Sequence, residues 1–468
     1  MKRILPFFIF VLHLLCSCSH EDIPAELVDV KPEETIDKKT IYNIEALPTI
    51  DLQFSLEEWN KLLTYYDEDP GNKKFVKSDF KYTQDKVERQ LTDIGVRIRG
   101  AWSRKRPEGV QNMLHVANET DWHHCSFALN FTKFVKDEDH ELGGVKKIDL
   151  KYFNIDPSYV REIYIYDLLR RFGVKTAINA SYCKLNIYVE GDETPAYFGI
   201  YMMMEHIDKN YLKDRTDLFG DAKGFLWKCE DATLADAGDD LFFIDDNSSE
   251  KHNYELKTNE EKFETGKREI QEFIRKFQGL QGEEFHNWIT SVCDVELLLK
   301  TYAVLVACGD WDDYWNNCKN FYLYFNSEHK FFFIPFDLDN SLGICVAKYI
   351  AQDTGRADPF HWGREECKLI SKLLMFSDFH EVYSKALKDL TNPDTHLFYY
   401  KDSAYRISQW WNLISDFIAN DTGEHNILKD SPTVGTTHME YRLLEDSPNN
   451  YFIVRSETIN SYINQSHN

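Results

Sequence analysis

Alternation of apolar and polar positions divides the chain into a strand-rich first half and a helical second half. Thr49 to Phe54 alternates as a strand, and Leu56 to Tyr65 follows as a short helix with Ser55 placed as its N-cap. Asp93 to Arg99 puts Ile94, Val96 and Ile98 on one face and Arg97 and Arg99 on the other. Ser126 to Phe131 and Val145 to Tyr152 are two more strands, the second carrying Lys146, Lys147 and Lys151. Asp156-Pro157 opens a helix on which Tyr159, Ile163, Tyr166 and Leu169 recur at helical spacing, and Gly173 closes it. Tyr182 to Val189 and Ala196 to Met204 pair through Gly191-Asp192, and Gly224 to Lys228 is one more short strand. From Glu260 the period becomes helical, over 260–281, 284–308 in two parts, 366–376, 378–391, 397–419 and 449–465. The pattern predicts an α+β fold, with a mixed or antiparallel sheet over 46–260 and a helical part over 261–465.

One stretch interrupts the helices. Residues 309–343 begin as a loop crowded with Asp, Asn and Trp, alternate from Lys319 to Phe325, turn through Asn326-Ser327-Glu328-His329 and return as an apolar strand to Phe336. That is a β-hairpin. A hairpin brings its ends together, so Asp312, Asn317 and Asn320 before it should share a small volume with Asp337 and Asp339 after it. Mg²⁺ takes hard oxygen ligands of this kind. The five-residue step from Asp312 to Asn317 matches the spacing of base and metal-holding amide in kinase sites. The plainer reading is that these side chains cap strand ends.

A second cluster follows the Asp93–Arg99 strand: Arg97, Arg99, the small-residue turn Gly100-Ala101-Trp102-Ser103, then Arg104-Lys105-Arg106. Backbone N–H groups and guanidinium groups in such a turn can hold phosphate. A solvated basic loop is the alternative. Glu162 lies on the helix after Asp156, where it either orients a phosphate-binding lysine or is simply solvated. Asp236, Asp239, Asp240, Asp245 and Asp246 crowd a loop whose spacing is not that of an EF-hand.

Composition sets the partners and the address. The 468 residues carry a formal charge of −24, which argues against nucleic acid as the main partner. Lys2 and Arg3 precede an apolar run from Ile4 to Leu15 that is too short to span a bilayer. Leu15-Cys16-Ser17-Cys18 looks like a bacterial lipoprotein box, which implies a leader over 1–18, lipidation at Cys18 and an outer-membrane, lipid-anchored envelope location. The acidic Glu21-Asp22 that follows resembles the surface-export tether of Bacteroidetes lipoproteins. Residues 19–45 are polar and acidic and predict a flexible tether. Of ten cysteines, eight remain after the leader and lipid site; none forms a CxxC pair, so structural zinc is not expected. An envelope location permits disulfides, with no pairing assignable from sequence.

Six stretches in this order resemble the spore-coat CotH kinase family. They are Gly95-Val96-Arg97-Ile98-Arg99-Gly100 with Ser103, Val145 to Lys151, Asp156 to Glu162, Gly199-Ile200-Tyr201 through Lys209, Asn320 to Tyr324, and Ile334 to Asp339. The resemblance runs from about Leu47 to Ile463. It implies an atypical protein-kinase-like fold that binds ATP and Mg²⁺ and phosphorylates protein Ser/Thr hydroxyls. It implies Asp312 as catalytic base and Asp337 as metal ligand, with Asn320 or Asn317 as the metal-holding amide. Arg97, Arg99, Ser103, Lys228 and Glu162 are the expected nucleotide-site residues. One departure stands out: relatives read Lys-Lys-Ser where this chain has His124-Cys125-Ser126, so the expected phosphate lysine is missing unless Lys228, Lys146 or Arg99 replaces it. Two readings follow. One is an envelope-anchored kinase acting on a protein substrate. The other is a catalytically weak or inactive surface lipoprotein that binds a glycan or a partner protein on the same fold.

Overall fold

A computed structural model describes residues 36–466 except 102, 138, 235–242, 246–252, 345–352, 426–427 and 431–440. The leader, Cys18, Trp102 and most of the acidic loop at 236–246 lie outside the described residues. From Ile36 the chain is one compact unit.

Seven strands close a barrel: β1 Thr49–Phe54, β2 Val76–Gln84, β3 Val87–Arg99, β4 Ser126–Asn130, β5 Lys147–Lys151, β6 Ala180–Val189 and β7 Ala196–Glu205. Their order is β1-β2-β3-β4-β5-β7-β6, and a parallel pairing of β1 with β6 closes the ring while the other neighbours are antiparallel. Closure removes the free sheet edges. Apolar alternation fills the interior with Ile50, Leu52, Val96, Ile98, Phe127, Leu129, Ile148 and Leu150. Helix α1 (Lys38–Ile41) and helix α2 (Leu56–Glu68) cover it; Trp59 of α2 is buried in the same core. Ser55 caps α2 as predicted, accepting from the Glu58 N–H at 3.2 Å.

Helix α3 (Arg161–Arg171) is buried along nearly its whole length. After α4 (Lys209–Lys213) and α5 (Thr216–Phe219) comes a second sheet. Its strands are β8 Phe225–Cys229, β9 Phe243–Asp245, β10 Tyr254–Leu256, β11 Phe321–Phe325 and β12 Phe331–Pro335, in the order β12-β11-β8-β10-β9. β11 and β12 are the predicted hairpin, with Phe321 opposite Pro335 and Phe325 opposite Phe331. The helices are α6 Phe263–Gly279, α7 Gly282–Val292, α8 Val295–Cys308, α9 Tyr314–Asn317, α10 Lys368–Leu373, α11 Ser377–Thr391, α12 Tyr400–Ile414 and α13 Tyr451–Ser466. α8 is apolar on nearly every face and lies in the core. It ends at Gly309, whose φ of 65° turns the chain into the acidic loop; a side chain there would also strike the Tyr451 hydroxyl. Among the described residues no helix is long and apolar enough to cross a membrane.

The structure corrects three boundaries. The segment read as tether through residue 45 joins the fold from Ile36, because Ile41, Tyr42 and Ile44 are buried. The helix expected at Asp156 starts five residues later. Asp156 still caps it, its Oδ2 accepting from the Val160 and Arg161 N–H groups at 3.0 and 2.8 Å, across a turn in which Tyr159 has φ 59°. The Asp93–Arg99 strand is the second half of a longer one: Asp93 has φ 53°, which resets the alternation and hides the run from Val87, while polar Ser78 at a buried position hides β2.

Candidate active site

The two-residue period of the barrel strands decides which side chains reach the site. On β3 Val96 and Ile98 enter the core, so Arg97 and Arg99 stand on the outer face. On β5 Ile148 and Leu150 point inward, leaving Lys147, Asp149 and Lys151 outside. There Lys151, the last residue of β5, meets Glu162 in the first turn of α3, Nζ to Oε2 2.6 Å. It also meets the two acids that follow β12: Asp339 at 3.0 Å and Asp337 in direct contact. Oxygens of Glu162, Asp337 and Asp339 all lie within 4.8 Å of one another. The hairpin exit is tied to α3 through its backbone as well. Asp337, with φ 58°, donates its N–H to the Tyr166 hydroxyl at 3.2 Å, and Leu338 donates to Glu162 Oε1 at 3.2 Å.

Asp312 lies in the loop between α8 and β11. Asp313 caps α9 by accepting from the Asn316 N–H at 2.8 Å, which leaves Asp312 free to turn toward the hairpin. Its carboxylate accepts from three amides: Asn317 on Oδ1, and Asn320 at 3.1 Å and Asn340 at 3.4 Å on Oδ2. Asn340 also donates to Asp339 Oδ1 at 2.9 Å, so one side chain joins Asp312 to the acid cluster.

Three carboxylates around one ammonium leave an excess of negative charge. Burial pushes Glu162 up to about 7 against the pull of Lys151, and Asp339 moves in the same direction for the same reason. Burial acts on Asp337 too, but Lys151, Arg99 and Lys228 together hold its carboxyl below the usual range. The Lys151 ammonium, which burial alone would weaken, is held well above its ordinary value by Asp337, Asp339 and Glu162. Burial raises Asp312 to about 6 despite the Asn317 hydrogen bond, with Asp337 and Asp339 adding to the rise. A set of hard oxygen donors with surplus negative charge fits a divalent cation such as Mg²⁺. Asp337 is the most open of the three, its side chain about 40% exposed.

A family model described as CotH kinase protein matches residues 96–465. The chain belongs to the CotH kinase protein family. No curated protein matches it. Membership supports a kinase-like function in general and implies ATP-dependent phosphoryl transfer.

For a CotH kinase the instructive position is the lysine. His124, where a lysine was expected, bonds the Phe198 carbonyl at 3.0 Å and stacks on Tyr152; burial lowers it to about 4, so no cation stands there. Lys146 turns to Glu141 at 4.0 Å, Lys228 pairs with Glu230 at 2.9 Å, and Arg99 pairs with Asp149 at 3.5 Å. Arg99 and Lys228 contribute their charge to Asp337 from behind these pairs. The ammonium among the acids is Lys151. Its mark in the sequence was a lysine ending an alternating strand, on the face opposite Ile148 and Leu150, with Glu162 one helix entry downstream.

The basic turn divides. Arg97 lies over the Phe75 ring, 5.4 Å from its centroid, and donates to the Ile98 carbonyl. The Ser103 carbonyl accepts from the Tyr152 hydroxyl at 3.0 Å. Arg104 donates to the Pro70 carbonyl. Arg106 is buried against Asp67 and holds the following loop, so it is structural. Neither Asn317 nor Asn320 belongs to the carboxylate cluster; both donate to Asp312.

Proposed function

We propose that this CotH kinase family member is a Mg²⁺-dependent protein kinase, transferring phosphate from ATP to Ser or Thr hydroxyls of a protein substrate and held at the cell envelope by lipid on Cys18. The observation that carries the catalytic reading is the chain of contacts from Lys151 to Glu162, Asp337 and Asp339. Lys151 supplies an ammonium beside the metal-type acids, in the arrangement by which kinases fix phosphates. Glu162 holds that ammonium in place. Asp337 and Asp339 would hold the divalent cation, while Asn317 and Asn320 hold Asp312. The cation, when bound, neutralises charge on the transferring phosphoryl group. Arg99 and Lys228 add positive potential on the Asp337 side. Asp312, fixed by three amides, is placed to accept the proton of an incoming hydroxyl, and a base that titrates near neutrality is well matched to that task. These parts supply positioning and charge neutralisation, which is most of what phosphoryl transfer asks of a protein.

Incubation of the protein with Mg²⁺-ATP, read by intact mass, tests the assignment. A step equal to added phosphate on the chain or on an offered polypeptide supports it, and a step equal to AMP replaces it with nucleotidyl transfer. No step and no thermal shift favours the binding-protein reading. The anchor is tested separately: Cys18→Ala should release the protein from membranes, and a variant that stays in the carbonate-washed pellet refutes lipidation there.

The base assignment predicts a pH profile. Transfer needs Asp312 unprotonated, so activity is full above its titration and falls as pH drops through about 6. Mg²⁺ at Asp337 and Asp339 removes part of the field that raises Asp312, so the midpoint should move down as Mg²⁺ is raised. Single-turnover rates between about pH 5 and 8 at two Mg²⁺ concentrations measure both effects. A flat profile removes Asp312 as the base.

A further inference from the structure

We propose that the disulfide between Cys318 and Cys367 is the positioning element of the Asp312 loop, and that the chain becomes competent for transfer only when this bond forms in an oxidising compartment. The proposal rests on the kinase reading for its activity arm, on the envelope reading for the oxidising compartment, and on the structure for the rest. Cys318 stands between the two asparagines that hold Asp312, one residue after Asn317 and two before Asn320. Its backbone has φ 55° and that of Asn320 has φ 58°. Cys318 is the left-handed C-cap of α9 and Asn320 takes the left-handed conformation that asparagine tolerates, so the chain turns sharply twice around the disulfide. That geometry is what aims both amides: Asn317 meets Asp312 Oδ1, and Asn320 meets Oδ2 at 3.1 Å and the Asp312 carbonyl at 2.9 Å.

The bond supplies the fixed point. Cys367, 49 residues away, is the N-cap of α10, whose Leu369, Ile370 and Leu373 are buried in the core. Hydrogen bonds tie the same corner to distant segments as well: the Cys318 carbonyl accepts from the Ala232 N–H at 2.8 Å, the Arg364 N–H donates to the Trp315 carbonyl at 2.9 Å, Asn316 Nδ2 donates to the Trp362 carbonyl at 3.0 Å, and Leu369 N–H donates to the Tyr314 hydroxyl at 3.1 Å; the disulfide is the covalent tie among them. The other described cysteines, at 125, 183, 229, 293 and 308, are buried and unpaired, so cross-linking is confined to this corner among the described residues.

Burial decides when the bond can form. Cys318 is 5% exposed and Cys367 is fully buried, so a folded chain offers neither sulfur to a reductant. The disulfide is a maturation step and not a switch thrown afterwards. Formation is an exchange: the two thiols give up two protons and two electrons, an external disulfide such as oxidised glutathione accepts them as two thiols, and a mixed disulfide is the intermediate. A reducing cytoplasm withholds that acceptor and the exterior of the inner membrane provides it. A nascent chain would therefore stay inactive where ATP is abundant and mature after export.

The test compares the full chain in detergent, refolded with oxidised glutathione or with excess dithiol, and a Cys318→Ala/Cys367→Ala double variant. Thiol count by alkylation and mass identifies the state of the bond. The reduced chain and the variant should lose transfer by about 10²-fold, the scale of a small misplacement of a catalytic group, while Mg²⁺-ATP affinity stays within about threefold. Amide exchange over 312–320 should quicken at least about tenfold with the β3, β4 and β5 strands unchanged. Equal exchange and equal transfer in oxidised and reduced chains overturn the proposal. So does exchange that quickens through barrel and loop alike, or equal loss of affinity and turnover, because either makes the bond a general staple. If the oxidised chain shows no transfer at all while the loop still loosens on reduction, the kinase reading fails and the positioning of the loop stands.

Discussion

Replacing Lys151 with Met should abolish transfer, by about 10²–10³-fold, the cost of losing one preorganised charge donor at a developing anion. It should also make the fold dependent on a divalent cation. Lys151 is the ammonium bonded to Glu162 and Asp339, at 2.6 and 3.0 Å, and to Asp337. Its removal leaves three carboxylates facing one another. Breaking a buried ion pair from one side costs about 3–5 kcal/mol, and the openness of Asp337 to water puts this case near the lower end. The carboxylates escape the cost by taking up protons, so they titrate higher in the folded variant than in the unfolded chain. The folded state then binds more protons than the unfolded one, and stability is present at low pH and lost as pH rises through the folded values. Mg²⁺ offers the same relief at neutral pH. Thermal melts of the variant in chelator should therefore fall between pH 5 and pH 8 (about the span of the raised carboxyls), and millimolar Mg²⁺ should restore them more than it shifts the parent. A variant that keeps transfer within tenfold of the parent, or that melts independently of pH and Mg²⁺, would remove Lys151 from the site.

The sequence made the hairpin visible because strand alternation and turn composition agree from Lys319 to Phe336, and the acids at its two ends meet as hairpin geometry requires. Helices α6 to α8 and α11 to α13 were legible for the same reason, each having a period and a stop. What stayed hidden was carried by relations between distant elements. Glu162 reads as one more helix glutamate until β5 is laid against α3, when it becomes the partner of Lys151. Asn340 carries no signal of its own; its role comes from lying between Asp312 and Asp339. Barrel closure depends on a parallel pairing of β1 with β6 in which Thr49 lies opposite Lys184, 135 positions later, which no local pattern announces. The arginine cluster misled in the opposite direction. Arg106, one cation of a run that reads as phosphate-holding or as a solvated basic loop, is consumed by Asp67 and the carbonyls of Glu108 and Met113, because a buried guanidinium must have its donors satisfied.

The two acids of the hairpin should separate in paired substitution. Asp337 leaves β12 on a backbone fixed to Tyr166 and sits among Lys151, Arg99 and Lys228, with its side chain about 40% exposed. Asp337→Asn keeps the shape and removes a charge from the cation site, so Mg²⁺-dependent ATP binding should fall steeply and transfer with it. Among the described residues Asp312 forms no ion pair with Lys151. Its carboxylate accepts from three amides, one of which, Asn340, also bonds Asp339. Asp312→Asn should leave binding of Mg²⁺-ATP near that of the parent and cut transfer by about 10²-fold or more, the contribution of a positioned general base. It should also flatten the pH dependence below neutrality, since the group that titrates at about 6 is gone. Calorimetry of Mg²⁺-ATP binding and phosphate incorporation by mass, on both variants and the parent, give the four numbers needed. If Asp337→Asn binds nucleotide as the parent does, the cation does not sit at the hairpin exit. If Asp312→Asn loses binding and transfer in equal proportion, its carboxylate serves the nucleotide and the base must be sought elsewhere in the loop.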